Sequence, residues 1–86
     1  MTYSIEYRSA AAREVKKLPH QVRARVYAEI SKLAQNPRPR GTKKVVGLDR
    51  SWRARVGDYR IVYEVRDAVL VILVVRVAHR AEVYRP

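Results

Sequence analysis

The fold of this chain is decided by residues 51–65, SWRARVGDYRIVYEV. Gly57 and Asp58 form a two-residue turn signal of the kind that closes a β-hairpin, and apolar residues alternate with basic ones on both sides of it. If these two residues are the whole turn, the register of the hairpin follows from it. The facing residues are then Val56 with Tyr59, Arg55 with Arg60, Ala54 with Ile61, Arg53 with Val62, and Trp52 with Tyr63.

One face of this hairpin is apolar and the other is basic, because facing residues of an antiparallel pair point to the same side. Arg53, Arg55 and Arg60 share the basic face. Two arginines directly across a ladder repel each other, so the fold gains nothing from the arrangement. An anion such as a phosphodiester between them would explain it, since guanidinium geometry matches a phosphate group. The alternative is a solvated face on which arginine stems cover apolar surface.

The rest of the chain supplies helices before the hairpin and strands around it. The residue before Pro19 avoids helical geometry, so a first helix, capped by Ser9, ends there and a second begins. The basic loop NPRPRG, 36–41, separates the helices from the later strands. The order βααββββ predicts an α+β fold with a small, antiparallel-rich sheet and two N-terminal helices packed on one face. We predict strands over 2–8, 45–48, 52–56, 59–65 and 69–77, and helices over 10–18 and 20–35.

Length, charge and composition limit the possible functions. The 86 residues are expected to form one domain, 1–86, and the net charge of +11 points to an anionic partner, with nucleic acid first and an acidic protein second. There are no cysteines and only two histidines, so neither a disulfide nor a metal site is predicted. A signal-peptide pattern is absent, and the longest apolar run, 69–75, is too short to cross a bilayer. We therefore expect a soluble, cytoplasmic protein.

The segment after the last predicted strand, RVAHRAEVYRP over 76–86, carries three residues suited to chemistry on RNA. His79 can exchange a proton near neutral pH, Arg80 can stabilise charge that develops on a phosphate, and Tyr84 can stack on a base or transfer a proton. We expect these three to lie beside the arginine face. The alternatives are a surface histidine in a loop and an aromatic residue that covers the sheet edge. Arg76 either joins the basic face or extends from the strand end.

The residues from the NPRP loop onward resemble a known family. The loop itself, the pattern W-R-x-R-x-G-D-Y-R-I-V-Y and the terminal H-R-x-x-V-Y are together similar to the RelE toxins of bacterial and archaeal toxin–antitoxin pairs, within the RelE/ParE superfamily. The resemblance implies a RelE-like fold and a metal-independent, ribosome-dependent mRNA endonuclease that cuts the codon in the ribosomal A site. In that reaction the 2′-hydroxyl attacks the adjacent phosphate and leaves a 2′,3′-cyclic phosphate. It also implies a cognate antitoxin with an acidic segment, and no cofactor.

The resemblance also implies roles for individual residues. The strand arginines Arg53, Arg55 and Arg60 would position the RNA and neutralise the scissile phosphate. Arg80 would stabilise the transition state, and Tyr84 matches the terminal tyrosine of the family. Some relatives have lysines at the positions of Arg53 and Arg55, and arginine is a poor base, so His79 is the natural proton donor or acceptor together with Tyr84. The choice between them stays open. The RNA-binding residues we predict are Arg40, Lys43, Lys44, Arg53, Arg55 and Arg76.

Two other functions fit the same sequence. A ParE-like toxin would share the fold and act on DNA gyrase without cutting RNA, although such a target needs no proton-transfer residues. A small RNA-binding module without catalysis would show salt-dependent RNA affinity and no cleavage.

Overall fold

The computed structural model describes residues 2–45, 47 and 50–83, with the backbone alone for residues 82 and 83. Five strands form one sheet in the order β1-β5-β4-β3-β2, in which β1 runs parallel to β5 and every other pair is antiparallel. The predicted α+β class and the order βααββββ are therefore confirmed, and a short C-terminal helix, Arg80–Val83, follows that was not predicted. The elements are β1 (Ser4–Tyr7), α1 (Ser9–Lys16), α2 (His20–Gln35), β2 (Lys43–Lys44), β3 (Ser51–Val56), β4 (Tyr59–Arg66), β5 (Val71–His79) and α3 (Arg80–Val83).

The two long helices lie close to where the sequence placed them, but the predicted cap of α1 is wrong. Ser9 is already the first helical residue, and Arg8 precedes it with extended backbone and no side-chain hydrogen bond to the helix. The backbone N–H of Arg8 donates to the carbonyl of Val74 at 2.9 Å. The helix therefore starts one residue earlier than a Ser9 cap requires, directly after a residue whose N–H is still bonded to the sheet. Within the described part of the chain, no helix is long and apolar enough to span a membrane.

The strands at the two sides of the hairpin differ from the prediction. Of the strand expected over 45–48, Val46 and Leu48 lie outside the described residues. The strand that the structure describes beside β3 is β2, Lys43–Lys44. Strand β5 starts at Val71 and not at residue 69, because Leu70 has left-handed backbone (φ 54°) in the turn after β4. It also runs two residues further than predicted, so that His79 ends the strand and does not follow it.

The hairpin register is confirmed in full. Strands β3 and β4 pair as the Gly57-Asp58 turn predicts, with Arg55 directly opposite Arg60. Between β4 and β5 the register shifts at a bulge, since Val62 faces Arg76 whereas Tyr63 faces Val74. One extra residue on β5 therefore changes which of its side chains share a face with β4.

The apolar face of the hairpin packs under both helices and forms the core. Val15 of α1 and Ile30 of α2 are at most 2% exposed and pack against sheet residues such as Ile61 and Tyr63, which are fully buried. Burying side chains of this size contributes roughly 1.5–3 kcal/mol each. The core thus fixes which side of the sheet faces the helices, and the arginines are left on the other side.

A polar network anchors the loop after α2 to the sheet. Asp67 accepts hydrogen bonds from Tyr3 (2.6 Å) and from Arg38 (2.7 Å), and the Arg38 guanidinium lies over the Trp52 ring at 5.5 Å. The hydroxyl of Tyr63 donates to the carbonyl of Pro37 at 2.7 Å. The bond from Arg38, followed by that from Tyr3, holds the pKa of Asp67 below its usual value, and the Asp67 carboxylate raises the pKa of Tyr3.

This network predicts a pH-dependent contribution to stability. Because the pKa of Asp67 is lowered from 3.8 in the folded protein, the unfolded chain binds that proton more readily. The stabilisation is fully present above the unfolded value and is lost as pH falls through the folded value. We therefore expect Asp67→Asn to lower the melting temperature at neutral pH and to matter much less at about pH 2. Calorimetry across this range checks it, and an equal deficit at every pH would contradict it.

Candidate functional site

The sheet face turned away from the core carries two rows of side chains with four arginines. In one row Lys43, Arg53, Val62 and Arg76 face one another across β2, β3, β4 and β5. In the next row Arg55, Arg60 and Ala78 face one another. Facing residues point to the same side of a sheet, so the three arginines of the hairpin share a face as predicted.

Arg60 is the most unusual residue of this face. Only 8% of it is exposed, although burial of a charge without a partner is costly. Within the described part of the chain, its guanidinium makes one hydrogen bond, a long contact of 3.4 Å from Nη1 to the carbonyl of Tyr59, and no carboxylate pairs with it. Directly opposite lies Arg55, a second cation, which is exposed. The described residues therefore hold a cation in place without neutralising it.

A cleft of about 430 Å³ lies between the basic loop and strands β3 and β4, and we call it the arginine cleft. Its lining brings together five of the predicted site residues with a single carboxylate, that of Glu29 on α2. The five basic residues are Arg40, Lys43, Arg53, Arg55 and Arg60. Such a concentration of cations in a concave surface attracts anions and focuses the field on them.

A tight turn delivers the loop residues to the cleft. Thr42 donates to the carbonyl of Pro39 through both its hydroxyl (2.8 Å) and its backbone N–H (3.1 Å). Gly41 has φ of 96°, which glycine adopts without the strain that a side chain would bring. This turn, together with the bonds from Arg38 and Tyr63, places Arg40 and Lys43 against the sheet.

His79 does not share the face of the arginines. It pairs with Tyr59, whose other neighbour is the core residue Val56, so this row points toward the helices. The imidazole meets the Tyr59 ring edge to face at 5.7 Å, and its Nδ1 accepts the backbone N–H of Ala81 at 3.3 Å. In the neutral ring the proton then sits on Nε2, which is the nitrogen left for proton exchange. The structure thus puts His79 at the end of the hairpin, on the side opposite the cleft lining.

Arg80 lies at the turn of the same hairpin. It is exposed and begins α3, and its backbone N–H donates to the carbonyl of Asp58 at 2.8 Å. This bond ties the segment after β5 to the turn between β3 and β4. Tyr84, the remaining predicted catalytic residue, lies outside the described residues.

Two predicted RNA-binding residues stand apart from the arginine cleft. The guanidinium of Arg76 donates to Glu14 of α1 from Nε (3.1 Å) and Nη2 (2.7 Å), and the same carboxylate accepts the N–H of Val77. Lys44 pairs with Trp52 and so faces the helix side of β2. Their roles in RNA binding stay predictions.

Two acidic residues of the helices contribute contacts that were not predicted from the sequence. Glu14 holds the edge of β5, and Glu29 borders the arginine cleft. No local pattern marks either of them, since Glu14 meets Arg76 across 62 residues of sequence. Among residues 2–45, 47 and 50–83, the histidines and carboxylates form no group of three that could hold a metal ion.

The arrangement can bind and orient a phosphate group. Guanidinium groups donate hydrogen bonds in a planar fork and stabilise negative charge, but they stay protonated and cannot accept a proton. The cleft can therefore position a phosphodiester and stabilise charge that develops on it, while proton transfer must come from other residues.

The chain matches a known protein family over most of its length. The family described as ParE toxin of type II toxin–antitoxin system, parDE, matches residues 5–84. Among curated proteins, Toxin RelG of Mycobacterium tuberculosis is 31% identical over 86 residues, which covers 99% of both chains. Toxin RelE of the same organism is 31% identical over 84 residues, covering 96% of this chain and 87% of its own.

Solved structures agree with this family. Escherichia coli toxin RelE in the free state, as a double arginine-to-alanine mutant, superposes with a TM-score of 0.83 at 27% identity, covering 98% of this chain and 88% of that one. The archaeal RelE–RelB complex from Pyrococcus horikoshii gives 0.82 at 28% identity, covering 95% and 99%. The toxin–antitoxin complex RelBE2 of M. tuberculosis gives 0.78 at 29% identity, covering 93% and 100%.

Because Arg60 is buried, we predict that its charge lowers the free energy of unfolding. Arg60→Met keeps a long apolar stem and removes both the buried charge and the repulsion from Arg55, so we expect the free energy of unfolding to rise by about 1 kcal/mol. Arg55→Met is the matched control, because it removes the same repulsion at an exposed position and should give a smaller gain. Urea unfolding measures both. A loss of stability in Arg60→Met would show that its guanidinium contributes to the fold.

Proposed function

The chain belongs to the ParE toxin family of type II toxin–antitoxin systems and is a RelE-type toxin, and on that premise we propose that it is a metal-independent mRNA endonuclease that acts on the codon in the ribosomal A site. Cleavage would stop translation, and a cognate antitoxin would neutralise the toxin. Cleavage and its neutralisation would both take place in the cytoplasm, where ribosomes and mRNA are found.

One observation carries the proposal, namely that Arg60 is buried opposite Arg55 in the arginine cleft and has no carboxylate partner among the described residues. Like charges at facing positions destabilise a sheet unless an anion lies between them. The phosphodiester of RNA supplies that anion, and its two free oxygens match the donors of the two guanidinium groups.

In the proposed reaction the 2′-oxygen forms a bond to the adjacent phosphorus while the bond from phosphorus to the 5′-oxygen breaks. The 2′-hydroxyl loses a proton and the departing 5′-oxygen gains one, so no metal or other reactant is consumed. Arg53 and Arg55 would bind and orient the RNA, and Arg60 would hold the scissile phosphate. Arg80 would stabilise the extra negative charge of the transition state.

The proton-transfer residue is either His79 or Tyr84. His79 lies at the hairpin end that Arg80 also adjoins, and its Nε2 is the nitrogen without a hydrogen bond to the backbone. Because its row faces the helices, His79 would reach the substrate only around the end of the strand. Tyr84 is the alternative proton-transfer residue. The scarcity of bases in the cleft favours a reaction that depends on the ribosome to orient the 2′-hydroxyl.

An antitoxin is the second partner of the proposal. Structures of RelE-type toxins with RelB antitoxins from P. horikoshii and M. tuberculosis share this fold over nearly the whole chain. The charge of +11 suits an acidic antitoxin segment as well as it suits RNA.

A second candidate function follows from the description of the matching family. That description names parDE, and a ParE-like toxin would act on DNA gyrase without cutting RNA. Gyrase poisoning would produce DNA damage while translation continues at first. A binding protein without catalysis would leave both replication and the mRNA intact.

The test of the proposal is cleavage on programmed ribosomes. Purified toxin is added to ribosomes stalled on a defined mRNA with an empty A site, and primer extension maps the new ends with and without EDTA. We expect a cut within the A-site codon that survives EDTA. Intact mRNA on ribosomes that remain competent for elongation would contradict the proposal.

The arginines give a first prediction for this assay. Removal of one group that stabilises the transition state typically costs about 100-fold in rate, so Arg60→Ala and Arg80→Ala should each slow single-turnover cleavage by about that factor. Both variants should also relieve growth arrest in cells while keeping a wild-type circular dichroism spectrum. Lys17→Ala, an exposed cation outside the cleft, serves as the control. Full activity of both folded arginine variants would refute the assignment.

The assignment of proton transfer gives a second prediction. If His79 carries it, His79→Asn should lower the single-turnover rate by about 100-fold or more, whereas Tyr84→Phe should change the rate little. If Tyr84 carries it, the two outcomes exchange. Single-turnover cleavage by both variants distinguishes the residues, and wild-type rates for both would show that neither transfers the proton.

A further inference from the structure

A second cleft lies on the other side of β2, and the proposed reaction makes no use of it. Its volume is about 660 Å³, and its lining includes Arg38, Lys44, Arg50, Trp52, Asp67 and Val69. We call it the tryptophan cleft. Lys43 and Lys44 are consecutive in β2 and so point to opposite faces, the first lining the arginine cleft and the second the tryptophan cleft.

The tryptophan cleft holds more positive charge than its own residues neutralise. Arg38 is paired with Asp67, and Arg66, also in the lining, is paired with Glu64 at 3.2 Å. Lys44 and Arg50 form no ion pair with the residues that the structure describes. Two cations therefore remain for an anionic partner.

Apolar surface accompanies this charge. Val69, in the turn after β4, is 64% exposed, which is more than any other large apolar residue of the described chain. Ala68 and Val65 line the cleft beside it. A partner that fits must offer carboxylates and an apolar side chain together, which is the chemistry of an acidic peptide.

RNA fits this cleft less well than a peptide does. The ring of Trp52 packs on the core, and the Arg38 guanidinium lies over it at 5.5 Å, where a stacked base would have to compete with it. The Asp67 carboxylate would repel a phosphate, and the exposed valine gives a phosphate backbone nothing to contact.

We propose that the tryptophan cleft is the docking site for an acidic segment of the antitoxin that also carries an aliphatic side chain. The inference rests on the proposed function only in taking the partner to be an antitoxin. Carboxylates of the segment pair with Arg50 and with Lys44, which is thereby assigned to the antitoxin and not to RNA, and the apolar side chain covers Val69. Since no residue lines both clefts, a segment docked here leaves the arginine cleft accessible, and this contact anchors the antitoxin without occupying that cleft.

The experiment measures the affinity of the purified cognate antitoxin for four toxin variants by isothermal titration calorimetry. Arg50→Glu and Val69→Asp alter the charged and the apolar part of the cleft, and both positions are exposed. We expect each to weaken binding by about tenfold and the double variant by about 100-fold, as for the loss of contacts at an interface. Lys17→Glu makes the same charge change as Arg50→Glu outside both clefts and should change the affinity by less than about threefold.

Three results would overturn the inference. The double variant could bind the antitoxin as wild type does, or Lys17→Glu could weaken binding as much as Arg50→Glu, which would assign the attraction to overall charge. The cleft variants could instead lose affinity for a single-stranded RNA oligomer, which would assign the cleft to RNA. Calorimetry measures antitoxin binding and does not measure mRNA cleavage. A toxin that binds its antitoxin through this cleft but leaves mRNA intact would therefore refute the endonuclease proposal and not the docking site.

Discussion

The register of the β3–β4 hairpin is the constraint on which the site depends. The two-residue turn at Gly57 and Asp58 fixes which residues face each other, and the period of two in a strand then sends apolar side chains to one face and arginines to the other. A slip of one residue would exchange the faces, placing arginines in the core and Ile61 and Tyr63 in solvent. Hydrophobic packing under α1 and α2 thus enforces the arginine pair, although the pair itself opposes folding.

Local sequence determined what could be predicted. The turn specifies the hairpin register, and Pro19 and the apolar stripe of α2 specify the helix over His20–Gln35, so both were confirmed. The side of the sheet on which His79 lies depends on the length of the turn before β5 and on the bulge between Val62 and Tyr63. No local sequence pattern marks either feature. The pairing of Arg76 with Glu14 joins distant parts of the chain. The arginines of the hairpin were therefore predictable together, whereas the placement of the terminal segment was not.

The residues that anchor the basic loop lie on one side of the sheet, and Arg60 of the arginine cleft lies on the other. On the helix side, Arg38 and Tyr63 satisfy their polar groups on Asp67 and Pro37. On the other side, Arg60 stays without a carboxylate partner among the described residues. Arg38, which supports the fold, is thus neutralised within the chain, whereas Arg60 of the arginine cleft has no carboxylate partner in the part of the chain that the structure describes. This division explains how the chain carries a charge of +11 with an ordered cleft.

The account is tested most directly by following the arginine side chains while RNA is added. In a chain of 86 residues, the Nε–H groups of Arg53, Arg55 and Arg60 can each be assigned by substitution in ¹⁵N-resolved NMR spectra. A short RNA with a 2′-O-methyl group on every ribose lacks the attacking hydroxyl, so it cannot be cut, and it serves as the ligand. We predict that these three signals shift together along a single binding curve. Shifts confined to other arginines, with these three unchanged, would contradict the claim that the cleft is built around an RNA phosphate.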